Sequence, residues 1–159
     1  MIPYANVNDG FKYLLTIIYL FSRYAWAIPL KDKSAKEVNE AFILVFAQGC
    51  KPHRLQTDDG LEFTNRIMQH LLNNENIRFF TVKSQFKAAV CERFNRTLKS
   101  KMWRYFIRTG KYRWIDALSD FMKSYNTAKH SALGVSPNRS AKTMNMNYGY
   151  CKNEKARKT

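Results

Sequence analysis

Residues 11–30 read FKYLLTIIYLFSRYAWAIPL, a run of Ile, Leu, Tyr, Phe and Trp broken only at Ser22 and Arg23. Such a run predicts two strands, 12–19 and 24–30, joined by a short turn. The period then changes. Ser34-Ala35-Lys36-Glu37 has the S-x-x-E form of a capping box, and Val38, Ala41, Phe42, Val45 and Phe46 follow at helical spacing, which predicts a helix over 35–47 that stops near Gly49. A short strand is expected at 54–57, closed by the turn-forming Asp58-Asp59-Gly60. Next come a helix at 65–74 carrying Ile67, Met68, Leu71 and Leu72 inward, and a strand at 77–82. Residues 83–89 are polar or small and lack periodicity, so they read as a mobile loop before a long helix that starts near Val90. A further helix fits 113–130, with Trp114, Ala117, Leu118, Phe121, Met122 and Tyr125 in one apolar stripe, and a loop and a frayed basic tail are expected from Gly134. Strands separated by helices in this order imply an α/β sheet covered on both faces.

The 159 residues suit one ordinary domain, and 45% hydrophobic with 14% aromatic content is too apolar for a disordered tail. Lys and Arg number 27 against 12 Asp and Glu, a formal charge of +15 that points to a polyanion, with nucleic acid favoured over an acidic membrane. No apolar run reaches the roughly 18 residues needed to span a bilayer. The N-terminus shows no basic segment leading into an apolar one, so an intracellular location is expected. Cys50, Cys91 and Cys151 have no C-x-x-C spacing, which argues against a disulfide framework and the common zinc patterns. Cys50 and His53 form a lone pair without a second half, and His70 reads as a surface residue.

Asp58 stands at the end of an expected strand, where α/β folds place functional side chains, although Asp-Asp-Gly is also ordinary turn chemistry. Glu92, separated from Asp58 by 33 intervening residues, is by itself an unremarkable first-turn acid favoured by the helix dipole. Its neighbours alter that reading. Glu92, Asn95, Arg96 and Lys99 share one helical stripe, while Phe94, Leu98 and Tyr105 point elsewhere. Residues 83–113 hold ten Lys or Arg and one acid, Glu92. A single carboxylate amid nine excess positive charges makes sense if it holds a divalent cation while the neighbours grip phosphates.

Four segments carry a family resemblance: GFKYLLTIIYLFSRYAWAIPLKDKSAKEV (10–38), LQTDDGLEF (55–63), CERFNRTLKSKMWRYF (91–106) and YNTAKHSALGVSP (125–137). In content, order and spacing the chain resembles the catalytic core of a DDE integrase of the retroviral and retrotransposon superfamily, most nearly those of Maverick/Polinton transposons. The resemblance implies a ribonuclease H-like fold, a mixed sheet flanked by helices, and three carboxylates that bind two Mg²⁺ (or Mn²⁺). It implies metal-dependent phosphodiester hydrolysis and DNA strand transfer, with transposon ends and target DNA as partners, multimeric assembly and a nuclear location. By position, Asp58 matches the family's second aspartate and Glu92 its glutamate, as catalytic and metal-binding residues. Asn95, Arg96 and Lys99 match the face that contacts donor DNA, joined by Lys87 and Arg93 as candidate phosphate contacts. Tyr125, Asn126 and His130 match a Y-N-x-x-x-H pattern with a structural role.

Two departures matter. The family's first aspartate belongs on a strand before the hairpin, and no residue corresponds to it; Asp9 aligns with the turn into the hairpin rather than with a ligand. The core, assigned to 1–137 with a flexible tail at 138–159, is therefore expected to lack its first central strand and to be inactive in strand transfer. The alternative is a non-enzymatic, nucleic-acid-binding remnant.

Overall fold

Antiparallel pairing of Tyr13 with Leu30 and of Ile18 with Ala25 makes β1 (Tyr13–Ile18) and β2 (Ala25–Leu30) a hairpin. Its turn is closed by Tyr19 N–H donating to Tyr24 O at 2.8 Å and Arg23 N–H to Tyr19 O at 2.8 Å. Arg23 takes a left-handed φ of 59° there. These facts come from a computed structural model that describes residues 2–48, 51–58, 60–81 and 85–148, with the backbone alone at 2, 85–88 and 144–148.

The remaining elements are α1 (Ala35–Ala47), β3 (Arg54–Thr57), α2 (Arg66–Asn74), β4 (Arg78–Thr81), α3 (Gln85–Thr109), α4 (Leu118–Thr127) and α5 (Pro137–Tyr148). Caps set the early helices. Ser34 Oγ accepts Glu37 N–H at the start of α1, and Asn65 Oδ1 accepts Met68 N–H at 2.9 Å at the start of α2. β3 and β4 pair in parallel, Arg54 with Arg78 through Thr57 with Thr81, with α2 as the crossover helix. Antiparallel and parallel pairing in one chain is the mixed α/β character expected of a ribonuclease H-like fold. Among the described residues each ladder has two strands.

The chain divides into two compact units, Met1–Asp32 with Ser84–Met144 and Lys33–Lys83 with Asn145–Thr159. In the first unit, Phe94, Leu98, Met102 and Phe106 repeat every four residues along α3. They are buried with Ala25 and Ala27 of β2 and with Trp114, Ala117, Leu118 and Phe121. In the second, Val38, Ala41, Phe42, Val45 and Phe46 of α1 are buried, as are Leu55, Met68, Leu72 and Ile77.

Three expectations are corrected. Helix α3 begins at Gln85, so most of the segment read as a mobile loop is helical; Val82, Lys83 and Ser84 lie outside the described residues. The helix expected over 113–130 covers only Leu118–Thr127, because Trp114 and Ile115 donate their N–H groups to Asn8 Oδ1 and residues 115–117 form a turn. The loop expected after Gly134 gives way to α5. Ser136 Oγ accepts Arg139 N–H at 3.3 Å and Pro137 occupies the first helical position, where its missing N–H costs nothing. Residues 149–159 of the expected tail lie outside the described residues.

A short 3₁₀ segment, Ile2–Val7, precedes β1 and is anchored by the residue that follows it. Asn8 is fully buried. Its Nδ2 donates to Tyr4 O at 2.7 Å and Tyr112 O at 3.0 Å, and its Oδ1 accepts Trp114 N–H at 2.7 Å and Ile115 N–H at 3.1 Å. Both amide donors and both acceptor positions are thereby used. Asp9 and Gly10 then turn the chain into β1 with φ of 54° and 81°.

Candidate functional site

Asp58 follows the last residue of β3 in the second unit, and its side chain is exposed. Among the described residues its Oδ1 accepts a long hydrogen bond, 3.4 Å, from Gly60 N–H. A Cβ at Gly60 would lie 2.7 Å from Glu62 Oε2 and 3.2 Å from Asp58 Oδ1, so a larger residue there would push these two carboxylates aside. The backbone therefore passes close beneath two carboxylates without a side chain to displace them. Asp59, the middle of the turn motif, lies outside the described residues.

Glu92 is exposed on α3 in the first unit. Because α3 starts at Gln85, Glu92 sits two turns into the helix and not in its first turn, where no acid occurs. The helix dipole, which acts within the first turn, does not account for it. No ion pair forms at Asp58 or Glu92 among the described residues, in a chain with 27 Lys and Arg. Unpaired, exposed carboxylate oxygens are the hard donors that Mg²⁺ takes. Among the described residues, neither unit gathers three or more His, Cys, Asp or Glu into a metal-holding group.

The stripe around Glu92 divides. Arg96 and Lys99 are exposed with Glu92, whereas Asn95 is half-buried and turns its Nδ2 to Cys91 Sγ at 3.9 Å. Cys91 Sγ in turn lies 4.0 Å from Thr16 Oγ1 of β1. Arg93 is exposed; at position 87 the structure describes the backbone alone. Of the α3 cations with described side chains, none forms an ion pair among the described residues; Lys101 instead donates to Ser124 Oγ at 2.8 Å. Beyond Lys99 the same stripe continues into Trp103 and Ile107, 55% and 82% exposed, which the sequence reading did not single out.

Asp9 is occupied elsewhere. Arg113 Nη1 and Nη2 donate to its Oδ1 and Oδ2, each at 2.9 Å, in a fork that also places Nε on Asp116 Oδ2 at 2.6 Å. The hydrogen bonds from Arg113 hold the Asp9 carboxyl below the usual carboxylate range. This agrees with reading Asp9 as a turn residue.

Within the Y-N-x-x-x-H segment, Asn126 is buried and brackets one residue of β2: its Oδ1 accepts Ala25 N–H at 3.0 Å and its Nδ2 donates to Ala25 O at 2.9 Å. Tyr125 packs its ring edge-on against Phe94 at 4.8 Å, and burial raises its pKa. His130 Nδ1 accepts Ala132 N–H at 3.3 Å, and burial, followed by the charges of Arg23 and Arg93, lowers its pKa. These contacts tie β2, α3 and α4 together, the structural role expected of the segment.

Comparison with known proteins agrees with this architecture. The integrase core domain family matches residues 2–85. A transposon-derived protein of Caenorhabditis elegans is 35% identical over 138 residues, 86% of this chain and 48% of its own length. The chain thus spans about half of that relative. The HTLV-2 integrase catalytic core domain in complex with magnesium superposes with a TM-score of 0.70 at 19% identity, covering 79% of this chain and 82% of that one. A chain of the simian T-cell lymphotropic virus intasome in complex with PP2A regulatory subunit B56 gamma gives a TM-score of 0.74 at 21% identity, covering 79% of this chain and 46% of that one. With a ribonuclease H-like mixture of small sheets and helices, and with sequence and fold neighbours of one kind, this chain belongs to the integrase core domain family.

Proposed function

We propose that this chain is the DNA-processing core of a transposon-type integrase, of the Maverick/Polinton kind, acting on transposon ends and target DNA in the nucleus as part of a multimer. The observation that carries the reading is α3: one exposed carboxylate, Glu92, beside the exposed Arg96 and Lys99, on a helix whose described cations find no carboxylate. Phosphates satisfy such cations, and a divalent ion satisfies the acid. Asp58 and Glu92 are the residues that would hold Mg²⁺ or Mn²⁺, two ions in the complete family site. The chemistry supplied by the bound ions is stabilisation of the attacking and leaving oxygens in an in-line phosphodiester displacement. Arg93, Arg96 and Lys99 grip the DNA backbone, with Lys87 assigned to the same role from its place in the sequence. Asn95, with its amide turned to Cys91, supports the helix face and contacts DNA only if that amide rotates outward.

The family site uses three carboxylates, and these 159 residues provide two matches. The expected behaviour of this stretch alone is DNA binding without strand transfer, which is also the behaviour of a purely DNA-binding remnant. Incubation with Mn²⁺ and an end-labelled duplex tests it. Retention of DNA without nicking is the expected result, and nicking abolished by Glu92→Gln would show that two carboxylates suffice.

A further inference from the structure

Glu92, Arg96, Lys99, Trp103 and Ile107 follow one another at intervals of four, three, four and four residues, which places them on one stripe of α3. The core-facing side of the helix, which drifts round to border this stripe at Phe106, carries Phe94, Leu98, Met102 and Phe106, all buried. A tryptophan needed for the core would lie on that side. Trp103 instead touches Phe106 edge-on, 5.7 Å between ring centres, and leaves 55% of its surface exposed, with Ile107 82% exposed one turn further. At 1.5 Å per residue, Trp103 stands about 16 Å along the axis from Glu92 and about 6 Å beyond Lys99.

Charge selects what covers this ridge. Arg104 and Arg108 are also exposed and form no ion pair among the described residues. A second copy docking by the same stripe would bring like charges together at a cost. A DNA strand brings phosphates to the cations and bases to the ring. A span of about 16 Å corresponds to about five nucleotides at 3.4 Å per step.

We propose that Trp103, with Ile107 beside it, is a stacking platform for an unpaired DNA base, on a strand whose phosphates lie along Arg96 and Lys99. Bases within a duplex already have both faces covered, so the ring takes a base only from a single-stranded tail, a frayed end or a flipped nucleotide. This rests on the DNA-binding reading above and goes beyond it by assigning a strand form and a residue.

The test uses the 159-residue chain, a blunt duplex and the same duplex with a short single-stranded tail, with affinity read by fluorescence anisotropy. Trp103→Ala is expected to weaken binding to the tailed duplex about tenfold, with the blunt duplex changed by less than about twofold and the salt slope unaltered. Trp103→Phe is expected to restore most of the loss while abolishing the tryptophan quenching that tailed DNA produces. Lys99→Ala, by contrast, weakens both duplexes and lowers the salt slope. Equal losses on both duplexes, no loss on either, or a Trp103→Ala effect on oligomeric state in place of DNA affinity would overturn the platform and leave the DNA-binding reading standing. Failure of the unaltered chain to bind either duplex would overturn both.

Discussion

The side-chain oxygen of Asn8 accepts the backbone N–H of Trp114 at 2.7 Å, across 106 residues of sequence. The same amide bonds Tyr4, Tyr112 and Ile115, so one buried side chain fastens the segment before β1 to the approach to α4. Asn8→Ala would leave two N–H groups and two carbonyls without these partners, at a cost of about 3 kcal/mol. Urea denaturation checks this. Asp9→Asn, one residue away but in an exposed, solvent-screened ion pair, is expected to cost far less.

Asn126 makes the corresponding clamp on β2. By taking both the N–H and C=O of Ala25, it imitates a neighbouring strand at one residue of the sheet edge. Asn126→Ala is expected to destabilise the first unit by about 2 kcal/mol and to increase hydrogen exchange at Ala25. Unchanged exchange there would show that the bracket is dispensable.

The pH dependence should carry the signature of His130. Its pKa is lowered in the folded chain, so below the unfolded value near 6.5 the unfolded state binds more protons. Stability is therefore expected to fall as pH drops through the interval between 6.5 and the lower folded value, and to be independent of this group above it. His130→Gln should remove that part of the dependence, as measured by thermal unfolding from pH 5 to pH 8.

Salt tests the basic face. Affinity for duplex DNA should fall steeply as salt rises, and Lys99→Ala should lower the slope of log affinity against log salt by about one. An affinity indifferent to salt would remove the phosphate-gripping role of α3.

Much of the fold was legible because its signals are local. The Ser34 cap, the apolar period of α1 and the aromatic hairpin each announce themselves within a dozen residues, and β1, β2, α1 and β3 lie within a residue of expectation. What was missed depends on distant partners. Asn8 reads as an ordinary polar residue until Trp114 is placed beside it, and that contact delays α4 to Leu118. The early start of α3 was hidden because residues 85–89 follow a polar stretch and show little period. The start of α5 was readable from Ser136-Pro137, a cap followed by proline, but the Asn- and Lys-rich sequence beyond it suggested a tail. Of the candidate site, the exposure of Glu92, Arg96 and Lys99 followed from helical spacing alone. The inward turn of Asn95 did not, since it depends on Cys91 one turn below. The exposure of Trp103 and Ile107 was not legible, because aromatic and aliphatic side chains on a helix are more often buried than exposed.

The proposed function assigns divalent-ion binding to both Asp58 and Glu92. Mn²⁺ binding to the 159-residue chain, followed by electron paramagnetic resonance, measures this in Asp58→Asn, Glu92→Gln and the double variant. A shared site predicts that either substitution removes most of the tightest binding and that the double variant loses little more. Binding indifferent to both substitutions, or two independent losses that simply add, would contradict the account.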